Sequence, residues 1–177
     1  MEHYPSGAFD VIVEGGTKYP DILGCGEYPF LIVSDRVIST WRKAEITCFH
    51  VNSVGIAEVK SRKLEDAIPP KYFRVEIEGK CDIDLTASQV KVKYVCPECH
   101  RVIEYPTLAH ERSYRMVPSS WDGCPIFRDV VLYPRVNFCT EEVMRVAGQQ
   151  QFTNFRFESM TGPFDTGSKG IDYMNLE

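Results

Sequence analysis

Nowhere in the 177 residues do eighteen apolar side chains run uninterrupted, so no segment reads as a membrane-spanning helix. The opening MEHYPSGAFDVIVEGG has no basic stretch followed by an apolar one, and nothing there resembles an export signal. A cytoplasmic protein is the expectation. Polar, monotonous windows are missing before the tail at 161–177, which argues for a folded chain. Positive charge is in deficit: 20 Lys and Arg face 25 Asp and Glu, for a net charge of −5 and a pI near 5.4. Basic clusters such as KSRK at 60–63 are short and interrupted. Nucleic acid is therefore not the expected partner, and a basic protein partner is permitted. Catalytic signatures are missing too. There is no Gly-rich phosphate loop, no H-E-x-x-H and no G-x-S-x-G, and His3, His50, His100 and His110 follow no spacing that brings a base to a nucleophile. The expectation is a protein that is not an enzyme.

What the chain does have is apolar material: 44% hydrophobic and 12% aromatic residues, enough for one good core. It also has an internal similarity. SDRVISTWRKAEITCFHVNSV, from Ser34, lies over TEEVMRVAGQQQFTNFRFESM, from Thr140, without a gap at an offset of 106 residues. Val37 and Val143, Thr47 and Thr153, Phe49 and Phe155, and Ser53 and Ser159 are identical. Each copy reads as an apolar run, a Ser or Thr placed to cap a helix, an apolar stripe, and a segment of period two. The stripes are Val37, Ile38, Trp41 and Val143, Met144, Ala147, and the alternating segments cover 46–51 and 152–157. Between the copies, KYFRVEIEG and VKVKYV alternate, RVIEY follows the cysteine pair, and PRVNFC leads into the second helix. The reading is an α+β fold: mostly short antiparallel strands, with two short amphipathic helices from a duplicated strand-helix-strand unit. One globular domain is expected over 1–160, with repeat units at about 28–54 and 134–160, a cysteine hairpin at 90–106, and a flexible tail at 161–177.

Seven cysteines, an odd number without an export signal, are read as reduced thiols or metal ligands rather than a disulfide framework. Their centre is KYVCPECHRVIEYP. Cys96-Pro97-Glu98-Cys99-His100 matches the haem-attachment spelling, but covalent haem normally requires export, so no haem is expected. A thiol redox centre would place an amphipathic helix after the pair, and HRVIEYP instead alternates and stops at proline. A strand, a C-P-x-C turn and a return strand make a knuckle that directs two sulfurs at a zinc ion. Two further ligands are needed, and Cys25, Cys81, His100, His110 and Cys124 are the candidates that sequence does not separate. Two thiols packed in a turn without metal is an equal alternative. A zinc-knuckle module for nucleic acid and a thiol redox protein remain as alternative functions. Lys and Glu balance around the knuckle, and a solvated strand face explains its lysines.

With these features in order along the chain, it resembles the double-CXXCG motif family of bacterial immunity proteins, which accompany polymorphic toxins. The second motif of that family stands here as CPECH, with His100 in place of glycine; SSWDGCPIF, Ser119 to Phe127, matches its W-D-G segment. The closing helix and T-x-x-x-F strand match TEEVMRVAGQQQFTNFRFESM. In the first motif ILGCG keeps Cys25 and Gly26, while Ile22 stands where the first cysteine would be. The resemblance spans roughly residues 20 to 160 and implies a cytoplasmic protein that binds and neutralises a toxin, often a nuclease. It also implies a structural zinc set of Cys96, Cys99, Cys25 and His100. Partner-contacting residues are unknown at this point: Trp121, Ile126 and Phe127 read as core beside an Asp122-Gly123 turn, and Glu141 and Glu142 as complements to a helix dipole.

Overall fold

The computed structural model describes residues 9–23, 31–98, 102–104, 114–129, 137–155 and 157. The fold is α+β, as the alternating segments and two short amphipathic stretches predict. Strands β1 (Phe9–Val13), β2 (Ile22–Leu23), β3 (Leu31–Ser34), β4 (Phe49–Val59) and β5 (Tyr72–Ile77) form a sheet in the order β1-β4-β5-β3-β2. All its pairings are antiparallel except β1 on β4. A second sheet orders β10 (Asn137–Cys139), β9 (Ile126–Arg128) and β6 (Gly79–Lys80), and β7 (Val92–Val95) pairs with β8 (Val102–Glu104) alone. The helices are α1 (Asp35–Lys43) and α2 (Glu141–Gln149). Among the described residues none of the helices is long and apolar enough to cross a membrane.

The pleat of the large sheet separates two cores. Leu31 and Val33 of β3, Phe49 and Val51 of β4, and Phe73, Val75 and Ile77 of β5 share the face covered by the helices, while Ile32, Val54 and Tyr72 point the other way. The helix-side core joins both copies of the repeat. Val37, Ile38, Trp41 and Ile46 from the first pack with Val143, Val146, Ala147, Phe152 and Phe155 from the second. Trp41 is 1% exposed and meets Phe49 and Phe155 edge-on, with ring centroids 5.5 and 6.3 Å away.

The duplication is written into the backbone. Both helices start after an extended Ser34 or Thr140, and both end in the same left-handed turn, with φ 60° at Glu45 and 51° at Gln151. The amides of Ile46 and Phe152 close those turns on the Trp41 and Ala147 carbonyls at 2.9 and 3.1 Å, again 106 residues apart. Two details differ from the sequence reading. Neither Ser34 nor Thr140 caps its helix through the side chain. The Ser34 hydroxyl donates to Asp21 instead, and Thr140 Oγ1 is buried without a hydrogen-bond partner. After the shared turn the first copy continues into β4, whereas the second passes through turns, with Asn154 at φ 63° donating from its amide to the Ile22 carbonyl. Phe152 and Phe155 reach the core from those turns rather than from a strand. The tail at 161–177 lies outside the described residues.

Candidate functional site

The cysteine motif sits where its flanking alternation places it. β7 ends at Val95, Cys96 to Glu98 begin the turn, and β8 returns with Val95 paired to Val102 and Tyr94 to Ile103. Lys93 is the extra residue of a β-bulge, because the next pairing is Val92 with Glu104. Cys96 is half-buried at the mouth of the turn. Cys99, His100, Cys25 and His110 lie outside the described residues.

Two other ligand candidates are engaged elsewhere. Cys124 is joined to Cys48 in a disulfide, with Cα atoms 5.9 Å apart. This corrects, for these two, the reading of the cysteines as reduced thiols or metal ligands: the start of β4 and the approach to β9 converge although 76 residues separate them. No spacing rule signals such a pair. Cys81 is 1% exposed in a separate cluster with Ile83, Tyr114, Phe127 and Phe138, and its sulfur lies 3.8 Å from the Val117 carbonyl and the Ser120 hydroxyl. Among the described residues no three His, Cys, Asp or Glu side chains stand together as a metal-holding group.

The hairpin differs in one respect from a half-buried strand pair. All four β7 residues are exposed, so its alternation of Lys and apolar side chains does not sort a wet face from a dry one. Val92, Tyr94 and Val95 are 43, 50 and 48% exposed and belong to none of the three cores. A second large side chain is also displaced outward. Trp121, expected inside, is 41% exposed, while Ile126 and Phe127 are buried as expected. Its indole N–H donates to the Cys124 carbonyl at 3.0 Å and its ring lies against Phe127. Asp122 closes the turn by accepting from the amides of Cys124 and Lys80, with Gly123 at φ 86°. Glu141 and Glu142 occupy the first turn of α2, as their dipole role requires.

Among the described residues the densest polar constellation surrounds Asp21, which sequence reasoning did not single out. Its Oδ1 accepts from the Ser34 hydroxyl and Arg36 Nε, both at 3.0 Å. Its Oδ2 accepts from Arg36 Nη2, from the Thr153 amide at 2.9 Å and from the Thr153 hydroxyl at 3.1 Å. Arg36 then passes on to the Gln150 and Gln151 carbonyls at the end of α2 and lies 5.0 Å from the Phe152 ring centroid. Burial opposes the Asp21 charge, but the donors outweigh it, led by Arg36, and hold the carboxyl below its ordinary value. The one available signal was Thr153, retained from Thr47 across the repeat. Every donor is committed inside the fold, so the cluster is a clasp between copies rather than a reacting centre. No family model matches the chain, and no curated protein shows significant similarity to it.

Proposed function

We propose that the protein is an immunity protein that binds and neutralises a cognate toxin in the bacterial cytoplasm, with the β7–β8 hairpin as the docking element. The observation that carries this reading is the exposure of Val92, Tyr94 and Val95 on β7, none of which joins any of the three cores. A tyrosine with two aliphatic neighbours on a backbone fixed by cross-strand hydrogen bonds offers contact area at little entropic cost. The net charge of −5 suits a basic partner, as a nuclease surface would be. The family resemblance supplies the class of partner.

In this reading the cysteine turn fixes the hairpin tip. Cys96 follows β7 directly, the strands on either side of the Cys-x-x-Cys segment are paired, and a zinc knuckle there would take Cys96 and Cys99 with Cys25 and His100 completing the ligand set. Cys81 and Cys124 are excluded by their other bonds. A zinc ion there supplies folding energy and no chemistry on a substrate.

The test is co-expression with candidate bacterial toxin domains, basic nucleases first. Restored growth and a co-purified complex, both lost with Tyr94→Asp, support the reading; growth arrest with the two proteins separate overturns it. Elemental analysis of the same sample tests the knuckle, where one zinc per chain, lost in Cys96→Ser, is expected. Retention of zinc in that variant refutes the assigned ligands, and a metal-free protein refutes the site while leaving toxin binding open.

A further inference from the structure

Cys48 immediately precedes β4 and Cys124 lies just ahead of β9, so their bond ties the five-stranded sheet to the second sheet. Both cysteines are half-buried, and their chain neighbours Thr47 and Gly123 are exposed, so the bond lies near the surface rather than in a core. Two of the other described cysteines, Cys81 and Cys139, compete poorly. Cys81 is sealed in its cluster, and burial pushes the Cys139 thiol up to about 11, leaving little thiolate at neutral pH.

The bond anchors a definite piece of chain. The loop from Trp121 to Pro125 is wrapped on Cys124, whose carbonyl accepts the Trp121 indole N–H and whose amide donates to Asp122. Beyond Cys124 the chain is held independently: the Thr140 amide donates to the Pro125 carbonyl at 2.9 Å, and β9 pairs with β10 from Ile126 onward. Opening the bond therefore detaches the Trp121 loop from β4 without unpairing β9, while Asp122 keeps its hydrogen bonds to the Lys80 backbone of β6.

We propose that Cys48 and Cys124 form a reversible thiol–disulfide switch that fixes or releases the Trp121 loop. In the reducing direction the thiolate of a low-molecular-weight dithiol attacks one sulfur. The S–S electron pair leaves on the other cysteine, which takes up a proton. The reagent's second thiol then displaces the mixed disulfide. Two cysteine thiols and an oxidised, cyclic reagent result, so two electrons and two protons have passed to the protein. Glutathione disulfide reverses the step and is itself reduced to two thiols.

The chain contains two tryptophans, and Trp41 is 1% exposed under the helices, so a change at Trp121 is separable. The experiment titrates the native full-length protein with dithiothreitol and then with glutathione disulfide. It follows tryptophan emission, far-ultraviolet circular dichroism and mass-spectrometric mapping of alkylated cysteines. Expected are alkylation of Cys48 and Cys124 after dithiothreitol, prevented when glutathione disulfide is added before the alkylating reagent, and an emission change abolished in Trp121→Phe, with unchanged dichroism. Cys48→Ser should show the reduced emission without reductant. A bond that resists dithiothreitol until denaturant is added overturns the proposal. So does reduction that leaves Trp121 emission unmoved, reduction that melts the dichroism, or a protein in which glutathione disulfide cannot form the bond.

Discussion

Replacing Asp21 with asparagine separates a structural clasp from a spectator charge. The carboxylate accepts five hydrogen bonds, three at Oδ2 and two at Oδ1. An amide at this position keeps one oxygen and turns an NH2 group toward donors, so at least two bonds are lost whichever way it flips. Each bond to a charged acceptor is worth roughly 1.5 to 3 kcal/mol when buried. The Arg36 side chain is 48% exposed, so its share is discounted to that of a solvated pair, about 1 kcal/mol or less. With the Thr153 bonds more sheltered, Asp21→Asn should cost about 3 kcal/mol. The effect must also depend on pH in a definite direction. The folded carboxyl titrates below its ordinary 3.8, so its stabilisation is complete above that value and disappears as pH falls through the depressed one. Urea unfolding of both proteins from neutral pH down to about pH 3 measures this, because linkage makes the difference between them constant at neutral pH and smaller in acid. A neutral-pH difference under about 1 kcal/mol, or one that does not shrink on acidification, refutes the account. A double-mutant cycle with Thr153→Ala should be strongly non-additive, since both changes break the same bonds.

Other substitutions probe other parts of the fold. Gly79→Ala would drive a Cβ against the Ile126 carbonyl oxygen and to 2.6 Å from Cys124 Cβ; since the first is backbone, a loss of about 3 kcal/mol in chemical denaturation is expected. Trp41→Ala opens a cavity where both copies of the repeat meet and should cost about 4 kcal/mol by the same assay. Cys48→Ser with Cys124→Ser removes a constraint on a 76-residue loop, worth about 4 kcal/mol in the chain-entropy model, and the variant should unfold at lower denaturant than the oxidised protein while remaining folded in water. Tyr94→Asp should leave the unfolding midpoint within about 0.5 kcal/mol of the parent while weakening the proposed complex by tenfold or more.

The parts of this architecture that were legible in the sequence are those fixed by local periodicity. Val37, Ile38 and Trp41 recur at helical spacing and are buried, and KYFRVEI alternates because β5 presents Phe73, Val75 and Ile77 to the helices and Tyr72 to the other core. The cysteine hairpin follows from two alternating runs around a proline turn. Alternation says which side chains share a face, however, and not whether anything covers it, so the exposure of Val92, Tyr94 and Val95 was not readable. Trp121 was misplaced for a related reason. Its bulk suggests burial, but its indole N–H takes the Cys124 carbonyl and leaves the ring half out. Asp21 and the Cys48–Cys124 bond join residues 132 and 76 positions apart, and neither distance leaves a local trace.

The clasp also makes one asymmetric core of two segments with similar sequence. Arg36 of the first copy corresponds to Glu142 of the second at the repeat offset. Arg36 crosses to the carbonyls ending α2, whereas Glu142 stays on its own helix, 3.8 Å from Arg145. A guanidinium at both positions would leave one without Asp21, and a carboxylate at both would leave the α2 terminus without its donor. Trp41 against Ala147 breaks the symmetry in the same way, since one large ring fills the space that two copies of it would overpack. The two units are thus interdependent. The chain between them carries β7, whose four residues are exposed and join none of the three cores, so in the proposed reading β7 can change for a partner while the clasped core holds its shape.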